Sequence, residues 1–145
     1  MNINLKSIVS KLRKAGISPS IVRVQILKYL ETNKIHPTVD TIYKKLSSSI
    51  PTLSRTSVYN TLNLFAQTNL IKKVYIDDEE MRYDAFVEEH GHFKCSICEK
   101  IFDFDVDFSA LKISNLENFQ ITHKDILVFG TCPNCAVKTK KEEVK

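Results

Sequence analysis

Four cysteines in two matched pairs constrain this chain more than any other feature. Cys95-Ser-Ile-Cys98 and Cys132-Pro-Asn-Cys135 are both Cys-x-x-Cys knuckles, separated by the stretch 99–131. One knuckle sets two thiolates on one edge of a metal. Two knuckles complete a tetrahedron with no open position, the donor set of a structural zinc site with Zn–S near ~2.3 Å. The alternatives are two disulfides or a Cys-x-x-Cys redox pair. Stable disulfides are rare in a reducing cytoplasm, and a redox centre has no need of two matched knuckles. The fold must therefore bring the last segment back against the first knuckle. A unit of about 60 residues has a marginal core, and a metal staple offsets that weakness.

The rest of the chain is ordinary globular material. Its 145 residues fit one domain or two small ones. Apolar residues make 43% and charged residues 26%, which argues against disorder. With 3 Gly and 4 Pro, collagen-like and Pro/Gly low-complexity chains are excluded. No apolar run approaches the roughly 18–20 residues needed to span a bilayer, so no membrane partner is expected. The start, MNINLKSIVSKLRK, lacks an apolar signal core, and a cytoplasmic location is expected.

The net charge of +4 says little until it is resolved along the chain. Residues 1–82 carry +7 and residues 83–145 carry −3. Before Asp77, twelve basic residues face only Glu31 and Asp40, giving +10. A basic half fits a polyanion such as DNA. A solvated basic face is the alternative reading of charge alone.

The basic half reads as helices. Leu5, Ile8, Val9 and Leu12 follow helical spacing, with Gly16 closing the helix. Ser18-Pro19 opens a second, with Pro at its first position and Val22, Ile26, Leu27 and Leu30 as its stripe. Thr38 caps a third, carrying Val39, Ile42 and Leu46. Ser54 caps a fourth, in which Val58, Leu62, Phe65 and Ala66 share a face. Ile71–Ile76 and Met81–Phe86, about the acidic tight turn Asp77–Glu80, predict a hairpin. Helices followed by a hairpin are the plan of a winged helix-turn-helix. The acidic half reads as strand-rich. Phe93–Lys94 and Lys100–Phe104 flank the first knuckle, a short helix is expected at Phe108–Leu116, and a strand at Phe119–Thr131. The lysine-rich tail from Lys138 is expected to fray.

With its apolar face buried, the fourth helix presents Thr56, Asn60, Asn63 and Gln67, with Arg55 and Tyr59 beside them. Asn and Gln pair with adenine edges, and Arg with guanine or phosphate. Ser54 at the cap leaves free N–H groups that suit a phosphate. Ser54, Arg55, Thr56, Tyr59, Asn60 and Asn63 are thus candidate DNA contacts. The acidic hairpin tip argues against a wing that grips phosphate.

Two of the four histidines form His90-Gly-His92, just before the first knuckle. Residues two apart on a strand point the same way, so both rings can address one metal. Asp84, Glu88 and Glu89 lie upstream and Asp103 downstream. Nitrogen and oxygen donors without sulfur suit Fe(II), Mn(II), zinc or nickel. His36, before Pro37, reaches such a site only through folding, and the metal would then bridge the two halves.

These residues together resemble the ferric uptake regulator family of bacterial metal-dependent repressors over essentially the whole chain. The likeness is carried by His36-Pro37, the run Ser54-Arg-Thr-Ser-Val-Tyr-Asn-Thr-Leu62, Arg82-Tyr-Asp84, His90-Gly-His92, both knuckles and Gly130-Thr-Cys132. It implies an α+β chain: a winged-helix DNA-binding domain at 1–83, a hinge at 84–90, a small α/β dimerisation and metal-binding domain at 91–138, and a flexible tail at 139–145. It implies one structural zinc per subunit on Cys95, Cys98, Cys132 and Cys135. It also implies one regulatory Fe(II) or Mn(II) per subunit on His36, Asp84, His90, His92 and Asp103. The acid at 103 is Asp, where the iron-sensing branch usually has Glu, and Asn60 stands where that branch tends to have Arg. Both look like the peroxide-sensing branch. The family's additional metal site is expected to be missing, since Lys124 and Ala110 occupy its positions and His123 lies one place off.

The implied function is a homodimeric, non-enzymatic repressor that binds a palindromic operator in double-stranded DNA when the regulatory metal is present. Peroxide would release it by oxidising His36 or His90. Three other readings stand beside it: an iron- or zinc-responsive regulator of metal uptake, a non-haem metalloenzyme, and a zinc-ribbon interaction module.

Overall fold

A computed structural model of the chain describes residues 3–143; Met1 and Asn2 of the expected first domain, and Val144 and Lys145 of the expected tail, lie outside the described residues. The chain divides into two units between Val87 and Glu88.

The first unit holds α1 (Leu5–Lys14), α2 (Ile21–Thr32), α3 (Val39–Leu46) and α4 (Arg55–Gln67), then β1 (Lys72–Val74) and β2 (Arg82–Asp84). Every helix starts on a side-chain cap: Asn4, Ser20, Thr38 and Ser54 each accept from a first-turn N–H. Ser54 and Ser57 cap reciprocally, Ser57 N–H to Ser54 Oγ at 3.1 Å and Ser54 N–H to Ser57 Oγ at 3.2 Å. Gly16, at φ +75°, adopts the left-handed conformation that ends α1 and lets Ile17 N–H reach the Leu12 carbonyl at 2.9 Å. α2 begins two residues later than the Ser18-Pro19 reading. Pro19 lies ahead of the cap, Ser20 takes the cap position, and the Ser18 oxygens instead hold the Arg23 guanidinium at 2.8 Å.

Ile8, Leu12, Ile26, Leu27, Ile42, Val58, Leu62 and Phe65 are fully buried and form one core. Leu5 departs from its expected stripe and is 49% exposed. The hairpin is shorter than Ile71–Ile76 with Met81–Phe86. Its register pairs Lys72 with Asp84, Lys73 with Tyr83 and Val74 with Arg82. Residues 75–81 form a broad connection rather than a tight turn, in which Arg82 binds Asp77.

The second unit is a three-stranded sheet ordered β4-β3-β5, made of β3 (Gly91–Cys95), β4 (Ile101–Phe104) and β5 (Leu127–Gly130), followed by α5 (Pro133–Glu143). β3 is antiparallel to β4 and parallel to β5. The helix expected at Phe108–Leu116 does not form. The Asp107 carboxylate accepts from Ser109 N–H, Ala110 N–H and the Ser109 hydroxyl, a turn that competes with helix. Asn115 and Asn118, at φ +65° and +69°, break the following stretch. The strand expected over Phe119–Thr131 is reduced to Leu127–Gly130, the part that finds β3 as a partner. The tail expected to be frayed from Lys138 and flexible over 139–145 is helical through Glu143, with Pro133 at the favoured first position.

Candidate metal centres and nucleic-acid face

The four cysteines converge in the second unit. Cys95 ends β3, Cys98 sits in the turn after it, and Cys132 and Cys135 flank the start of α5. Glu99, at φ +59°, closes the first knuckle by donating its N–H to the Cys95 carbonyl at 3.0 Å. All four Sγ atoms lie within 4.8 Å of one another, and no disulfide joins them. Cys98 Sγ and Cys132 Sγ are 3.8 Å apart. A tetrahedron with Zn–S of ~2.3 Å has S···S edges of about 3.8 Å, so the donor set fits the metal. Backbone N–H groups of Cys132 and Cys98 pull the Cys95 thiol down to about 6, the former at 3.3 Å from its sulfur. Burial, then the neighbouring cysteine side chains, pushes Cys135 up to about 12. Four thiolates repel one another at this spacing, and a divalent cation at the centre removes that conflict. The four cysteines thus have the donor set and spacing that a structural zinc requires.

His36 and Asp84 belong to the first unit, and His90, His92 and Asp103 to the second. In the first, His36 Nε2 lies 3.3 Å from Asp84 Oδ2, and both residues are buried. His36 adopts φ +52°, a strained conformation for a non-glycine residue that costs on the order of 1–3 kcal/mol. β2 holds it there: Arg82 Nη1 donates to the His36 carbonyl at 3.2 Å, and Tyr83 N–H to the Pro37 carbonyl at 3.1 Å. The other Asp84 oxygen accepts from Phe86 N–H at 2.8 Å, which fixes the carboxylate plane.

In the second unit, β3–β4 register places His92 directly across from Asp103. His90 Nε2 and His92 Nε2 lie 3.3 and 3.5 Å from the same Asp103 Oδ1. The two rings meet edge to face at 4.4 Å. His90 Nδ1 lies 2.7 Å from the Glu88 carbonyl, so it donates and leaves the Nε2 lone pair for a metal. The upstream acid seen in the sequence thus contributes its backbone carbonyl here. Gly91 between the histidines has a steric reason: a Cβ there would sit 2.2 Å from the Phe104 ring. Neither the Phe104 contact nor the strained His36 backbone has a signal in spacing or composition. His123, in the same unit, is exposed and pairs with Asp125 at 2.8 Å.

On α4, Ser54, Arg55, Thr56, Tyr59 and Asn60 are exposed, as is Gln67. Asn63 is only half-buried, and its Oδ1 is shielded from solvent without a hydrogen-bond partner. Arg55 is not a free side chain. Its Nε and Nη2 donate to Asp40 Oδ1 at 3.0 and 2.8 Å, and its guanidinium lies 4.2 Å from the Tyr43 ring centre. No helix among the described residues is long and apolar enough to cross a membrane.

A basic unit of four helices and a hairpin, and a second unit with a four-cysteine cluster and a histidine–carboxylate group, are the equipment of a metal-binding regulator. The sequence model of the ferric uptake regulator family matches residues 14–129, and the chain belongs to that family of transcriptional regulators, which are not enzymes. Among its relatives, the peroxide operon regulator of Bacillus subtilis (strain 168) is 32% identical over 137 residues, covering 92% of this chain and 94% of that protein. The iron-containing ferric uptake regulator of Francisella tularensis superposes with a TM-score of 0.70 at 28% identity, over 83% of this chain and 96% of that one. PerR from Streptococcus pyogenes, whose structure concerns peroxide sensing and gene regulation, gives a TM-score of 0.52 at 29% identity, over 90% and 92%.

Proposed function

We propose that the chain is a homodimeric, metal-dependent repressor that responds to peroxide. Residues 1–83 would act as a winged-helix DNA-binding domain, 84–90 as a hinge and 91–138 as the dimerisation domain. The observation that carries the reading is the pair of half-sites on either side of the chain's division after Val87: His36 with Asp84 before it, His90 and His92 with Asp103 after it. Neither group alone satisfies a six-coordinate cation. Shared by both, an Fe(II) or Mn(II) ion would fix the hinge and hold α4 for the major groove of a palindromic operator. Turning a 1:99 equilibrium to 99:1 needs about 5.5 kcal/mol of preference for the closed state. Several metal–ligand bonds lost on opening are of that size.

Other observations support the parts. The +10 charge before Asp77 and the exposed polar side of α4 suit DNA. Phe119, Phe129, Ile121 and Ile113 are 67%, 60%, 46% and 44% exposed in the second unit, apolar surface that a twin subunit would cover. Bound Fe(II) supplies the one-electron chemistry with which peroxide oxidises a ligand imidazole, and Mn(II) does not readily do so. His36 and His90 are the candidate targets, because an oxidised imidazole no longer offers the same nitrogen donor and the hinge is freed.

The test is mass spectrometry of the Fe(II)-loaded protein before and after peroxide, with operator binding measured in parallel. A gain of one oxygen, about 16 Da, on His36 or His90 together with loss of binding is expected. Intact histidines and unchanged binding would leave an iron- or zinc-responsive regulator instead. His92→Ala should abolish metal-dependent operator binding while the zinc stays. Metal-dependent binding by that variant would refute the site assignment.

A further inference from the structure

We infer that Asp40 is a positioning residue for DNA recognition: it fixes the Arg55 guanidinium on the Tyr43 ring at the entry of α4. Discrimination between sequences by Arg55 then depends on a carboxylate that does not touch DNA. The inference rests on the proposed reading of α4 as the DNA-binding helix.

Asp40 is one of only two acids before Asp77. It stands on the first turn of α3, beside the N-terminus of α4 that would meet phosphate. A bare carboxylate there opposes DNA binding. Both its oxygens are engaged by cations. Oδ1 accepts from Arg55 Nε and Nη2, and Oδ2 pairs with Lys44 Nζ at 2.7 Å. The group keeps a net positive charge. Lys44 first, then Arg55, holds the Asp40 carboxyl below the ordinary carboxylate range.

The geometry restricts Arg55 on two sides. Tyr43 supports the guanidinium face at 4.2 Å, and Asp40 takes one edge. Both N–H groups of Nη1 and the second N–H of Nη2 are left as donors for a base edge or phosphate. A free arginine would lose much of its rotamer freedom on binding, and here that freedom is restricted before DNA arrives. Exposure of the side chain at 56% keeps that remaining edge available.

The same contact could be a simple α3–α4 strut, and the two roles differ in sign. A strut lost by Asp40→Ala weakens binding to all duplexes alike. A positioning carboxylate lost in this way releases Arg55 and adds positive charge, so specific binding falls while non-specific binding rises.

The experiment uses the full zinc- and Mn(II)-loaded protein, a duplex selected by the wild type from a random pool, and a scrambled duplex of the same composition. Dissociation constants are measured across a salt series. Asp40→Ala is expected to lower the ratio of specific to scrambled affinity about tenfold. It should also tighten scrambled binding and steepen its salt slope by about 1. Asp40→Asn keeps an oxygen acceptor for Arg55 and should preserve discrimination within about threefold, which controls for damage to the fold. In an Arg55→Ala background, Asp40→Ala should cost no further discrimination. Equal weakening on both duplexes, or an undiminished Asp40 effect without Arg55, would overturn the inference alone. A wild type that selects no sequence would overturn the DNA-binding reading as well.

Discussion

Gly91→Ala tests whether the histidine pair depends on a steric contact with Phe104. A methyl group at Gly91 would lie 2.2, 2.3 and 2.8 Å from three carbons of the Phe104 ring. Carbon contacts are comfortable at about 3.5–4.0 Å, so more than about 1 Å must be found. The strand cannot readily supply it, since β3 is bonded to β4 on one side and β5 on the other. The ring must leave instead, and overpacking of this kind costs about 1–3 kcal/mol. Spectroscopy must be chosen with care, because all five tyrosines lie at or before Tyr83 and tryptophan is absent. Hydrogen exchange at the β3 amides reports on the second unit directly; His92 N–H, for example, donates to the Ile126 carbonyl at 3.0 Å. A cost of about 1–3 kcal/mol corresponds to exchange faster by about 5- to 150-fold. Phe104→Ala should rescue much of this, so that the double variant exchanges more slowly than Gly91→Ala alone. Mn(II) affinity should fall in Gly91→Ala because His90 and His92 flank the displaced residue, with zinc content unchanged. Exchange within twofold of wild type, or no rescue by Phe104→Ala, would refute the steric account.

Other substitutions address separate parts. Cys98→Ser should abolish stoichiometric zinc and speed exchange along β3, read by metal analysis and hydrogen exchange; full zinc retention would contradict the four-cysteine site. Ser54→Ala removes one side of a reciprocal cap and should cost about 1 kcal/mol in urea denaturation followed by tyrosine fluorescence. Leu62→Ala, at a fully buried position, should cost about 2–5 kcal/mol by the same measurement, and under 1 kcal/mol would place Leu62 outside the core. The Asp40 carboxyl lies below its ordinary 3.8 in the folded chain, so its contribution is complete above that value and is lost only as pH falls through the lowered one. An NMR titration of Asp40 with a midpoint at or above 3.8 would contradict the clamp.

Local signals carried much of the fold. Helical spacing at Ile8 and Leu12, at Ile26 and Leu30, and at Val58 and Leu62 identified three core helices, because burial of a stripe must repeat at the helical period. Thr38 and Ser54 marked helix starts for an equally local reason. Where a side chain chose between local partners, spacing misled. Ser20 rather than Ser18 capped α2, and Asp107 bonded three donors of a turn where a helix was expected. The strand over Phe119–Thr131 shrank because pairing, not composition, sets strand length.

The chemistry divides in the same way. Donor identity is a property of residue type and short spacing, so the grouping of the four cysteines and the His90–His92 pair were legible in the amino-acid sequence alone. Contacts between residues far apart along the chain depend on how the backbone returns. Only the tertiary structure set His36 at φ +52° against Asp84, placed Asp103 across from His92, and wedged Phe104 over Gly91. It also showed that Arg55, a candidate DNA contact by its type, is already bound to Asp40, fifteen residues earlier in the chain. Periodicity reports which face of an element is buried, whereas the partner across that face is decided by register and packing.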